Sequence, residues 1–201
     1  MEWNGDKFQE AIGTALKHGN LAAAREYVGQ VQSALNRGGK GPFSPGATPS
    51  APGTPPHKST GALARSFSAH QHHNGFSAMV STTSKYAILH EFGGTILPKG
   101  RYLVFPVTID GRRHLRSHGG SVRNAMGDQA VYVKKNRLGG LLVFRKVGKR
   151  KVRSVLLYVM KSVVIMPPRP YIVPTLKAKT AEMAGAYTYA FRKNLVMGVL
   201  K

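Results

Sequence analysis

An α+β fold, with an antiparallel β-sheet packed against N-terminal and C-terminal helices and a long basic loop and hairpin inserted between strands, is predicted by three observations. Apolar residues recur at helical spacing at both ends of the chain, from Asn4 to Arg37 and again after Pro170. Between these ends, short β-branched and aromatic runs alternate with Gly, Asn and Pro turns. An apolar fraction of 42% against 19% charged residues is enough to bury one core, so 1–201 is predicted as a single domain.

Within that domain, 1–40 is predicted as a helical segment. Phe8, Ile12, Ala15 and Leu16, then Leu21, Ala24, Val28, Val31 and Leu35, give one long helix or two, with His18-Gly19-Asn20 as the expected break. Pro, Gly, Ser and Thr dominate 41–58, which reads as an extended linker. The remaining 59–201 is predicted as the α+β core. It opens on a short helix over Ser59–Arg65 with Ser59 or Thr60 as its cap, followed by a hairpin turning at Asn74-Gly75.

The stretch Lys85 to Val107 organises this core. Tyr86 to Phe92 reads as a short helix or buried strand, with Tyr86, Leu89 and Phe92 facing inward and Ile88 beside them. Gly93-Gly94 ends it where the backbone requires positive φ or a close approach. Thr95-Ile96-Leu97, the turn Pro98-Lys99-Gly100 and Tyr102 to Phe105 then read as a corner feeding a hairpin. From Thr108 to Met126 the chain lacks apolar periodicity and is expected to be a surface loop, part of a basic insertion at about 108–140. Strands are expected at Val131–Val133 and Leu141–Phe144, then across Val155–Met160 and Val163–Met166 as one bent strand or two, with Lys146–Arg153 as a basic hairpin tip. Pro174 suits the first turn of a final helix whose stripe Leu176, Thr180, Met183, Ala184, Tyr187, Phe191 and Leu195 is expected in the core.

Charge narrows the function. Thirty Lys and Arg against eight Asp and Glu give a net charge of +22, which favours polyanionic partners. The excess is concentrated: 98–153 holds 15 basic and 2 acidic residues, whereas 1–40 holds 5 and 4. Arg112, Arg113, Arg116, Arg123, Lys134, Lys135, Arg137, Lys149, Arg150 and Lys151 are the candidate nucleic-acid-binding residues, a solvated basic surface or an acidic partner protein being the plainer reading. With no cysteine, thiol chemistry is absent. No signal peptide and no apolar run of membrane-spanning length is seen, so a cytoplasmic origin without a membrane partner is expected.

Enzyme chemistry finds little support. His90 and Glu91 are adjacent, and a zinc-binding HExxH pattern meets Gly94 where its second histidine belongs. His70, His72 and His73, and separately His114 and His118, sit in turn or loop sequence with no carboxylate expected nearby, so neither a metal nor another cofactor is predicted. Gly119-Gly120-Ser121 and Gly139-Gly140-Leu141 are not expected to open helices, as phosphate cradles require. The reading is a non-enzyme.

Three ordered segments carry a resemblance: Pro52 to Ser66, with Pro55-Pro56 and Thr60-Gly61; Tyr86-Ala87 with Glu91-Phe92-Gly93; and Pro167-Pro168-Arg169-Pro170-Tyr171-Ile172 before the last helix. Together they resemble the tail-completion and neck proteins of tailed bacteriophages, the phage virion morphogenesis or minor tail family, although 107–140 matches nothing in that pattern. The resemblance implies a structural virion protein, made in the host cytoplasm, that completes the tail or joins head to tail as a homo-oligomeric ring of six or twelve around the DNA channel. It implies neighbours among other neck, tail-terminator or portal-side proteins and nonspecific contact with viral DNA. Tyr86, Ala87, Glu91, Phe92, Gly93, Arg169, Pro170 and Tyr171 are its implied interface positions, Tyr171 replacing the family's usual Phe. The alternative is a free nucleic-acid-binding protein that grips phosphates with the basic insertion.

Overall fold

One uninterrupted helix, α1 (Gly5–Arg37), takes the whole N-terminal stretch, and His18-Gly19-Asn20 does not break it. Packing explains why. A methyl group at Gly19 would stand 2.8 Å from the ring of Tyr187, so the absent side chain admits that ring, which outweighs the cost of Gly in a helix, about 1 kcal/mol. In this computed structural model residues 5–37, 50–58, 60–73, 75–137, 140–148 and 151–199 are described. Positions 38–40 of the helical segment, 41–49 of the linker, Ser59, Asn74, Gly139, Lys149 and Arg150 lie outside the described residues.

After α1 the chain forms α2 (Ala62–Arg65), β1 (Phe67–Gln71), β2 (Ala78–Thr82), α3 (Ala87–Phe92), β3 (Gly94–Ile96) and β4 (Leu103–Pro106). It continues through α4 (Ile109–Ser117), α5 (Val122–Met126), β5 (Val131–Lys135), β6 (Leu141–Val147), β7 (Arg153–Lys161) and β8 (Val164–Met166). The last elements are α6 (Ile172–Ala178) and α7 (Thr180–Val199). Helices packed with antiparallel sheets make this an α+β fold, as the sequence predicts. Contacts divide it into two units, however, with 1–93 and 167–201 in the first and Gly94–Met166 in the second. What composition marks as an insertion near 108–140 is thus a larger body that begins at Gly94.

In the first unit, α1 and α7 run antiparallel through small residues, Gly19 meeting Tyr187 and Ala11 meeting Gly198. Tyr27, Val28, Val31 and Leu35 of α1 bury against Ala64, Phe67, Ala87 and Tyr171. The β1–β2 hairpin pairs Phe67 with Thr82 through Gln71 with Ala78 and lies on α1. Helix α2 starts later than Ser59: Gly61 is its cap residue, and Thr60 Oγ1 accepts from the Ala62 N–H at 3.3 Å. The final helix is two, with Pro174 in the first turn of α6 and the chain re-forming at α7. Neither buries a residue fully. The expected core stripe is half-buried at Met183, Tyr187, Phe191 and Leu195, while Leu176, Thr180 and Ala184 are exposed.

Helix α3 inverts the expected burial. Ala87 and Glu91 are buried, whereas Tyr86, Ile88 and Phe92 are exposed, because the small Ala lets Tyr171 close over the helix. Gly93 ends it at φ 72°, ψ −172°, a region open essentially to glycine alone.

The second unit is a four-stranded antiparallel sheet in the order β4-β7-β6-β5, with a separate β3–β8 pair. Strands β3 and β4 therefore do not form the expected hairpin. Gly94 pairs with Met166 instead, so the two ends of the unit are zipped together, and β7 and β8 are separate strands. The loop expected over 108–126 is two helices. Thr108 caps α4, its hydroxyl accepting from the Gly111 N–H at 3.0 Å and donating to the Leu156 carbonyl at 2.7 Å. Ser121 caps α5, so Gly119-Gly120-Ser121 does open a short helix. Apolar periodicity is missing because α4 buries Gly111 and His114 rather than hydrophobes. Ala125, Val143, Leu157 and Tyr158 form the core beneath.

Candidate functional site

Two sets of predicted site residues fall in different units and are built differently. In the first unit, α3 presents the Glu91 carboxylate to the start of α6. Oε2 accepts from the backbone N–H of Tyr171 and of Ile172, both at 2.8 Å, and Oε1 from Val173 at 2.9 Å. A helix N-terminus carries orphan N–H groups and partial positive charge, so a buried carboxylate there is held without a cation. Glu91 is 3% exposed and Ala87 1%. Tyr171 stands edge-on to Phe67 with centroids 6.0 Å apart, and burial, then the Glu91 charge, pushes its phenol far above the usual tyrosine range.

Arg169 reaches the Ser50 carbonyl through Nε and Nη2, both at 3.2 Å, pinning the end of the linker. Of the eight implied interface positions, Ala87, Glu91, Arg169 and Tyr171 are thus engaged within the chain, and Gly93 and Pro170 are half-buried. Tyr86 and Phe92 remain at the surface. Ile88, 71% exposed beside Phe92 at 70%, joins them. That pairing was legible as a four-residue helical spacing once the helix direction was known.

His90 and Glu91 do not act as a pair. Glu91 turns to α6, while His90 lines a separate cavity of about 280 Å³ with His57 and Leu63. Burial, then the nearby Arg169 charge, lowers the His90 pKa below the usual imidazole value.

In the second unit, the basic candidates separate by element. Arg112, Arg113 and Arg116 are on α4, Arg123 on α5, Lys134 and Lys135 at the end of β5, and Arg137 and Lys151 in the flanking turns. Lys149 and Arg150 lie outside the described residues. Burial and then Arg116 lower the Arg112 guanidinium, so like charges crowd this helix. Lys134 and Lys135 sit on the outer strand of the sheet, where lysine also blocks edge-to-edge pairing.

A concave region of about 340 Å³ gathers charge that the sequence disperses: Asp110 and Arg113 from α4, Arg145 from β6 and Arg153 from β7. Arg145 is not among the predicted binding residues, since it follows the apolar run Leu141–Phe144 and reads as part of that strand. The antiparallel register, which sets Arg145 opposite Val155 and Val147 opposite Arg153, brings it there. Asp110 offsets Arg113 only weakly, the two being exposed and 3.8 Å apart. Tyr132 and Phe144 face each other across β5 and β6 and stack at 5.8 Å, which uses both rings within the sheet.

Behind this surface, His114 is buried, with Nδ1 2.8 Å from the Tyr158 hydroxyl and Nε2 3.0 Å from Asp128 Oδ2. A carboxylate does lie near His114, contrary to expectation: it is Asp128, fourteen residues on, whereas Asp110 on the same helix pairs with Arg113. Hydrogen bonds from His114 and from the Ala130 N–H hold the Asp128 carboxyl below its usual range, with Arg145 Nε 3.0 Å away adding charge. No helix among the described residues is long and apolar enough to cross a membrane. Comparison with protein families, with characterised proteins and with solved structures finds no match to this chain.

Proposed function

We propose that this chain is a structural virion protein of the neck or tail end of a tailed bacteriophage, assembling as a ring and offering its second unit to the DNA. The observation that carries this reading is the separation of charge. Gly94–Met166 holds 16 Lys and Arg against 2 Asp, and one of those, Asp128, is already engaged by His114 and Arg145. Arginine and lysine side chains spread over several elements suit contact with phosphates in no fixed register, as a passing polyanion requires. The exposed Tyr86, Ile88 and Phe92 on α3 supply an apolar face of the kind that protein partners cover, which supports assembly over a free nucleic-acid binder.

Changing Arg113, Arg116, Arg123 and Arg137 together to Ser tests the DNA contact. Binding to duplexes of unrelated sequence should weaken equally, and the slope of log K against log salt should flatten by up to about 0.9 per lost contact. These side chains are exposed, so the circular dichroism spectrum should be unchanged. An unaltered affinity and slope would mean that this surface meets a protein or solvent instead.

A further inference from the structure

We propose that the second unit holds a divalent transition-metal ion, of the imidazole-preferring kind such as Zn²⁺ or Co²⁺, between His114, His118 and Asp128. One donor atom from each of the three lies within 4.8 Å of the others. Donors on a tetrahedral ion with bonds near 2.1 Å stand about 3.4 Å apart, so the set must close by up to about 1.4 Å on binding, with the half-exposed His118 the member placed to move.

The hydrogen bond at His118 prepares that imidazole, and His114 already faces the Asp128 carboxylate. His118 Nδ1 lies 2.8 Å from the backbone carbonyl of His114, which can only accept, so Nδ1 carries the proton and Nε2 is left with its lone pair. His114 gives its Nε2–H to Asp128 in the metal-free chain; an ion would displace that proton, and the remaining Nδ1–H would then point at the Tyr158 oxygen 2.8 Å away. A ligating histidine whose other nitrogen donates to an oxygen is the usual support for a bound metal. The two rings lie 4.4 Å apart by centroid, on the same end of α4.

Arg145 and the Ala130 N–H steady the Asp128 carboxylate from the other side. The nearby guanidinium disfavours a second cation, so the site is of moderate affinity, with one position left for water or an outside ligand. Binding would tie the end of α4 to the turn before β5. Imidazole ligands with one carboxylate favour zinc, cobalt, nickel or copper over calcium or magnesium.

The test is Co²⁺ titration of the full chain, followed by its visible absorption and by displacement with Zn²⁺. One equivalent is expected in the unaltered protein and also after His72→Gln with His73→Gln, which removes the competing hairpin histidines. His118→Gln, at a half-exposed position, should weaken that affinity at least tenfold. A readout needing no variant is paramagnetic broadening of amide resonances by Co²⁺, expected to centre on residues 114–118 and 128. The proposal fails if no stoichiometric binding occurs, if binding survives His118→Gln, if it disappears with the His72 and His73 changes, or if broadening centres on 70–73.

Discussion

Glu91→Ala is expected to cost about 3 kcal/mol or more of stability in the first unit. The substitution strands three N–H groups at the opening of α6, that of Tyr171 buried and those of Ile172 and Val173 part-buried. Each buried donor left without a partner costs about 1–3 kcal/mol, and water reaching the vacated space offsets only part of that. The loss of the favourable charge at the helix start adds to it. For a chain of this size each kcal/mol corresponds to about 2–4 °C, so a fall of roughly 10 °C in Tm is anticipated. Glu91→Gln keeps one acceptor oxygen and should fall between. Hydrogen exchange supplies the local check, since the amides of Tyr171 to Val173 should lose protection ahead of those in α1. An alanine variant within about 0.5 kcal/mol of the parent, the range of ordinary surface changes, would mean that the carboxylate does not hold this corner.

The second large effect is expected at Gly111. A methyl group there would lie 2.2 Å from the Leu157 carbonyl oxygen, 3.0 Å from its carbon and 3.2 Å from its Cα. All three are backbone atoms of the central strand β7, which cannot swing aside as a side chain end can. Alanine is the better helix former by about 1 kcal/mol, so propensity alone predicts a gain. The clash should win, because relief requires α4 to lift from β7 and to loosen the Thr108 bond to Leu156. A net loss of about 3 kcal/mol is expected, at the upper end for overpacking. Urea unfolding followed in the second unit would show a lowered midpoint; a neutral or stabilised Gly111→Ala would refute the close approach.

These two positions show where the sequence is legible and where it is not. Strands β1, β2, β4, β5, β6 and β7 follow alternation and turn signals that act over a few residues, and they form where expected. Helix α4 is hidden because its inward residues are Gly111 and His114, neither of which registers as hydrophobic. The break expected at Gly19 misleads for a related reason: a glycine that admits a ring from α7 looks the same in sequence as one that ends a helix. Strand β3 pairs with β8, about seventy residues on, and no local pattern announces such a partner.

The site was half legible. Basic runs mark Arg112, Arg113 and Arg116, yet Arg145 joins Arg113 only through strand register, and Asp128 meets Arg145 only through the turn after α5. Among the motif positions, Tyr86 and Phe92 keep the surface placement that an interface requires. Glu91 and Tyr171 belong instead to the frame that presents them, since a carboxylate directed at N–H groups eighty residues away cannot be distinguished by spacing from one directed outward.

Assembly is the claim on which the functional account stands, and the mass of the native full chain measures it directly. Native mass spectrometry or mass photometry of the purified protein, or of the protein on assembled particles, should show a closed ring of six or twelve copies. Ile88→Lys combined with Phe92→Lys, changing two side chains that bury little within the protomer, should reduce that ring to smaller species while leaving the fold intact. A species that stays monomeric both in solution and on particles would contradict the account, and DNA affinity persisting in that monomer would favour the free nucleic-acid binder.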